Sequence, residues 1–183
     1  MVVVGAAAAL VELNPEVFGR RTGGPLACEG CGRTATAGPA EIGEVVSMGP
    51  LTLENEGSET VTLERIELMD VDRGLEFVGT LVVEPDGRSP LVGSGYGFPP
   101  RKPGGTTHSV RGYVLPPATK GNRFVQILVG IRLKTPGIAG ARRMVVYYRA
   151  GDVPYRAFYD HSVWLCTDPG PSPRCIDPDW YER

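Results

Sequence analysis

Phe124-Val-Gln-Ile-Leu-Val-Gly-Ile-Arg-Leu133 is the stretch on which the fold turns. Val125, Ile127, Val129, Ile131 and Leu133 recur at every second position. A strand sends alternate side chains to opposite faces, so these five line one buried face; a helix would scatter them around its axis. After it, Pro136-Gly137 and Gly140 turn the chain, and Met144 to Tyr148 reads as the next strand. Ala150-Gly151-Asp152 is a hairpin-type turn. Val153 to Cys166 is the last strand, rich in Tyr155, Phe158, Tyr159, Val163 and Trp164. Before it, Val110 to Leu115 reads as a strand closed by Pro116-Pro117, and Arg88 to Thr106 as a long irregular stretch. Leu75, Phe77, Leu81 and Val83 mark a strand ended by Pro85-Asp86-Gly87. Leu51–Glu54 and Thr60–Glu64 alternate on either side of the turn signal Asn55-Glu56-Gly57-Ser58. The apolar phase slips between Leu63 and Ile66, which predicts a β-bulge near Glu64-Arg65.

These seven strands, with no competing helical period, predict an all-β fold. An immunoglobulin-like antiparallel β-sandwich of about seven strands suits the count and spacing. A jelly roll or Greek-key barrel is the alternative, because it shares the pattern. The composition agrees. The chain has 183 residues with 25 glycines and 17 prolines, which excludes a long helical bundle. Apolar residues make up 42% and charged residues 22%, enough to fold around a core. A net charge of −2 gives no broad electrostatic footprint for nucleic acid.

The ends differ from the centre. Met1 to Val11 is an apolar run, too short to span a bilayer at about 20 residues and with no basic residue before it. Residues 1–19 therefore read as the remnant of a membrane anchor or signal, with a buried element of the soluble fold as the alternative. Residues 20–43 read as a Gly/Pro linker containing a Cys-x-x-Cys pair, 44–167 as the sandwich, and 168–183 as a Pro-rich tail.

Leu51 to Leu63 resembles the strand, Asn-x-Gly turn and strand that open many bacterial extracytoplasmic immunoglobulin-like domains. Gly112–Pro117, Ile127–Leu133 with Pro136-Gly137 after it, and Val145–Tyr148 followed by a glycine turn are similar to uncharacterised envelope proteins of high-GC Gram-positive bacteria. The resemblance covers roughly residues 44 to 166. It implies an outer domain tethered by an N-terminal membrane segment, and it brings no catalytic residues.

Four cysteines leave three chemical readings. Two local disulfides, Cys28 with Cys31 and Cys166 with Cys175, suit an oxidising compartment. The second would close a ten-residue loop, worth about 2–3 kcal/mol. A four-cysteine zinc site is the next reading; the Cys28-x-x-Cys31 knuckle fits it, and the wider spacing of Cys166 and Cys175 does not. Dithiol redox catalysis wants a helix after Cys31, and none is predicted.

The remaining polar motifs are sparse. His108 and His161 each precede a serine, Ser109 and Ser162, but strand neighbours point to opposite faces, as does Asp160 beside His161. A histidine hydrolase therefore needs an unforeseen strand adjacency. Asp70-Val-Asp72-Arg-Gly74-Leu-Glu76 offers alternate oxygens yet lacks a complete calcium-loop pattern. Gly93-Ser-Gly-Tyr-Gly97 is glycine-rich, but prolines rather than a helix follow, which removes a phosphate cradle. In its place, Tyr96, Phe98, Arg101 and Lys102 form a candidate binding loop; the alternative is that both aromatics pack on the sandwich. Tyr147, Tyr148, Tyr155, Tyr159 and Trp164 are either core or a glycan-binding aromatic face. The expectation is a non-enzymatic extracytoplasmic module, without cofactor, that binds a protein or envelope component. A zinc protein or a histidine-using hydrolase are the alternatives.

Overall fold

The computed structural model describes residues 20–28, 31, 34–87, 93–118, 124–167 and 175. The apolar segment 1–19 and all of the 168–183 tail except Cys175 lie outside these residues. Thirteen strands form two sheets with no α-helix among the described residues. They are β1 (Arg21–Thr22), β2 (Leu26–Cys28), β3 (Thr34–Pro39), β4 (Val45–Asn55), β5 (Val61–Val71), β6 (Leu75–Pro85), β7 (Ser94–Tyr96), β8 (Gly105–Ser109), β9 (Val114–Leu115), β10 (Phe124–Leu133), β11 (Ile138–Ala150), β12 (Val153–Tyr159) and β13 (His161–Cys166). The six-stranded sheet runs β2-β4-β10-β6-β8, with β7 also on β4. The seven-stranded sheet is built around β11, which pairs β5 on one side and β12 and β13 on the other. The two sheets pack face to face as a β-sandwich, and no barrel closes among the described residues.

The alternating run is the centre of the core. Val125, Ile127, Val129, Ile131 and Leu133 are all buried in the cluster between the sheets. From the opposite sheet, Met144, Val146 and Tyr148 on β11 and Val61, Leu63 and Ile66 on β5 meet them. Arg65 faces Tyr147 and Leu63 faces Tyr148, so Glu64 is the extra residue of a β-bulge, at the place where the phase slips. The turn at Asn55 is tied by its own side chain: its oxygen accepts from Gly57 N–H at 3.0 Å, and its amide donates to the carbonyls of Glu59 at 2.8 Å and Leu115 at 3.0 Å.

Four segments depart from the sequence reading. Residues 20–43, read as a linker, contribute β1, β2 and β3. Of these, β1 and β3 pair in parallel with β12 and β13, and β2 pairs antiparallel with β4. The stretch read as irregular from Arg88 to Thr106 contains β7 and the start of β8, and the expected strand from Val110 shrinks to the two residues of β9. The last strand divides at Asp160 into β12 and β13, which lie end to end along β11.

Two tyrosines fasten the early strands to the late ones. Tyr148 Oη donates to Gly23 O at 2.6 Å, and Tyr159 Oη donates to Leu26 O at 3.0 Å. Burial pushes the Tyr148 phenol up to about 12, so both remain neutral donors at physiological pH.

On β11, Gly140 lies under the indole of Trp164. A Cβ there would sit 2.3 Å from Trp164 Cε3 and 2.6 Å from the Val163 carbonyl oxygen. The backbone contact cannot yield to a rotamer change, so Gly140→Ala should destabilise the protein by about 1–3 kcal/mol. Urea unfolding checks this: a lowered midpoint with an unchanged slope is the expected result.

Candidate functional site

The cysteines close as two disulfides, Cys28–Cys31 and Cys166–Cys175. Cys28 ends β2 in one sheet and Cys166 ends β13 in the other. The four sulfurs are therefore neither thiolates nor gathered, and the four-cysteine zinc arrangement is not formed. The second bridge holds Cys175, itself buried, against the end of β13.

The two histidines are on different sheets, β8 and β13. His161 is buried, with the Thr34 hydroxyl 2.7 Å from its Nδ1 and the Thr36 hydroxyl 2.9 Å from its Nε2. A neutral imidazole donates from one nitrogen and accepts at the other, so two hydroxyls satisfy it fully. Ser162 is engaged elsewhere: its Oγ accepts from Trp164 Nε1 at 2.8 Å and donates to Thr34 O at 3.4 Å. His108 has Glu84 at 3.4 Å and the Tyr113 ring at 5.4 Å, and Tyr113 Oη also donates to Glu84. Neither histidine is brought to Ser109 or Ser162 as a dyad. Both clusters went unseen in the sequence, since Thr34, Thr36, Glu84 and Tyr113 carry no motif.

The acidic residues around 70–76 are paired with arginines rather than pooled for calcium. Asp70 receives Arg143 at 2.7 Å, Asp72 receives Arg142 and the Gly140 N–H at 3.0 and 2.9 Å, and Glu76 receives Arg132 at 3.0 Å. Of the late aromatics, Phe158 stays exposed, while Tyr147, Tyr148, Tyr155, Tyr159 and Trp164 are interior or covered. Tyr148 stacks on Tyr155 at 5.4 Å, Trp164 is buried, and Tyr147 lies beneath Arg65 with the guanidinium 3.9 Å from its ring centre. They offer no open platform for a sugar.

The loop after β7 is different. Phe98 and Tyr96 have opposite fates. Phe98 packs on Leu81, Val83 and Leu128, on the outer side of the six-stranded sheet. The sheet makes room for it with paired glycines: a Cβ at Gly130 would lie 2.5 Å from Phe98 Cγ, and one at Gly79 3.2 Å from Cε1. Ser47 adds a hydrogen bond from its Oγ to Gly97 O. Tyr96 remains 63% exposed. With Phe98 seated, Tyr96, Arg101 and Lys102 border one open cleft of about 810 Å³, whose other walls are Glu44, Ser94–Gly97, Pro99 and Pro100. A second, smaller cleft shares Tyr96 with Pro39, Glu41 and Thr167. Arg101 and Lys102 are exposed and have no ion pair among the described residues. Of the four loop residues singled out in the sequence, three line the cleft and one anchors it.

Fold and site together define a disulfide-bonded all-β sandwich protein with an open cationic and aromatic cleft. No family model and no curated protein matches the chain. Among solved structures, that of the VesB protease of Vibrio cholerae is similar over 78% of this chain, with 12% identity and a TM-score of 0.34. The chain spans about a third of that protein, 32%. A likeness of that degree assigns neither a fold nor an activity.

His161 makes stability depend on pH. Burial lowers its pKa from 6.5 to about 4. The unfolded chain therefore takes up this proton first as pH falls, so the contribution is complete above about pH 6.5 and is lost between about 6.5 and 4. His161→Gln should show a shallower loss of unfolding free energy over that window, by on the order of 1–3 kcal/mol. Parallel urea titrations of both proteins at the two pH limits measure the difference.

Proposed function

We propose that this chain is a non-enzymatic, extracytoplasmic immunoglobulin-like module that binds a protein or cell-envelope component through the Tyr96–Lys102 loop. The observation that carries the reading is the cleft itself: two unpaired cations and an exposed tyrosine, mounted on a loop pinned by Phe98. Surface loops on a rigid scaffold are where binding residues concentrate. The two disulfides support an oxidising compartment. The apolar run Met1–Val11 supports a tether at the N-terminus. The partners of His161 and Ser162 favour binding over hydrolysis, because both groups are held by structural neighbours, Thr34, Thr36 and Trp164.

The test is retention of the purified protein on isolated cell envelopes. Joint replacement of Tyr96, Arg101 and Lys102 by alanine should lower retention by about tenfold or more with an unchanged thermal midpoint. Retention equal to wild type would overturn the assignment of the loop. Under denaturing conditions without reductant, no cysteine should react with an alkylating reagent, and all four should react after reduction. Reactive thiols before reduction would remove the argument for the compartment.

A further inference from the structure

β7 is an edge. Its only described sheet partner is β4, with Val46 opposite Tyr96, Ser47 opposite Gly95 and Met48 opposite Ser94. Gly97 N–H donates to Val45 O at 2.8 Å and Gly49 N–H to Gly93 O at 3.1 Å. In an antiparallel ladder the bonded pairs fall on every second residue. Here they fall on Gly93, Gly95 and Gly97, so the amide and carbonyl groups of Ser94 and Tyr96 point to the other side. Four of these residues, Ser94 to Gly97, line the cleft containing Arg101, Lys102 and Glu44.

The geometry points to an extended acidic peptide of a partner protein as the occupant, adding as a strand beside β7. This rests on the loop reading above and names its ligand. The free backbone groups of Ser94 and Tyr96 supply main-chain hydrogen bonds, which are how a sheet edge holds a peptide. Arg101 and Lys102 supply the charge complement. They have no ion pair among the described residues; exposed Arg73, Arg111 and Lys134 have none either, but Arg101 and Lys102 are the cations that line this cleft. Glu44 selects the class of ligand. Its carboxylate accepts from Glu41 N–H at 3.2 Å and stands on the cleft wall, where it opposes a uniform polyanion such as polyphosphate or nucleic acid. A peptide can place its acidic side chains toward the cations and leave Glu44 facing a neutral or basic residue. Pro99 and Pro100 stiffen the cationic wall, so little loop entropy is lost on binding.

Random peptides displayed on phage and selected against the full, disulfide-bonded chain test this, with the best binders resynthesised, fluorescently labelled and titrated. The expected sequences alternate acidic with apolar or β-branched residues. Arg101→Glu together with Lys102→Glu should weaken them by about tenfold or more, and added salt should do the same in the wild type. Peptides methylated on the amides that face Ser94 and Tyr96 should bind about tenfold more weakly. An unchanged thermal midpoint shows that the double variant is folded. Failure to recover binders, binders without acidic bias, or methylated peptides of full affinity would overturn the proposal. So would polyphosphate binding more tightly than any peptide, or dimerisation abolished by Tyr96→Ala, which would place a second copy on the edge. Envelope retention separates the two levels. If the alanine triple variant loses retention while selection gives no acidic bias, the loop remains the binding surface and only the ligand chemistry fails.

Discussion

Strand β11 imposes the constraint to which the rest of the sandwich conforms. Over 13 residues it must keep every second side chain in the core while serving β5 on one edge and both β12 and β13 on the other. A pleated strand allows one phase only, and a single extra residue reverses it. β11 itself changes phase, with Ala139 and Ala141 inward in its first half and Met144, Val146 and Tyr148 in its second. The last strand absorbs the consequence. It breaks at Asp160 so that β12 and β13 meet different halves of β11 in different registers, while β5 keeps its register there and inserts Glu64 further along, where its own phase changes between Leu63 and Ile66. The same sorting separates adjacent tyrosines: Tyr148 enters the core, and Tyr147 turns outward beneath Arg65.

Much of this was legible because it is local. The alternation of β10, the turn at Asn55, the turn at Gly151 and the slip before Ile66 are each written within a dozen residues. The cysteine pairing was legible for the same reason, since both loops are short. What escaped notice depends on distant partners. β3 reads Thr-Ala-Thr-Ala-Gly-Pro, a stretch whose composition suits a linker, and it becomes a strand only because His161–Cys166 lies alongside it. Glycine and proline argue against regular structure in isolation; at an edge, where one side of the strand is unbonded, they are tolerated. The histidine environments are hidden likewise: Thr34 and Thr36 are about 125 residues from His161 in the chain. The candidate loop was visible through its residue types, but not the division of labour between its aromatics. That depends on Gly79 and Gly130 meeting across two strands to make a seat for one ring.

Charge is arranged differently on the outer face of the seven-stranded sheet and at the loop. The outer face of the seven-stranded sheet is crowded with arginines, and those facing carboxylates there are held at salt-bridge distance. Such exposed pairs contribute little to stability, typically under about 1 kcal/mol each. Their effect is to occupy those carboxylates and to cover Tyr147 and Trp164 with guanidinium groups. A partner approaching there would have to break existing pairs before making new ones. Arg101 and Lys102 impose no such cost, and with a Debye length near 8 Å at physiological salt they steer only what comes close to the cleft.

Phe98 explains why that local charge can be useful. A glycine-rich loop followed by free prolines would sample many arrangements, and each side chain ordered on binding costs about 0.5–1.5 kcal/mol. Seating Phe98 against Leu81, Val83 and Leu128, with Ser47 bonded to Gly97, fixes the loop at its midpoint. β7 fixes it before, and β8, paired to β6, fixes it after. Tyr96 and the Arg101-Lys102 pair thus stand on either side of a packed anchor, and the conformational entropy is given up on folding rather than on binding. The hydrophobic contact does not touch the ligand it serves; it acts by holding the free edge of β7 and the two cations in one fixed relation.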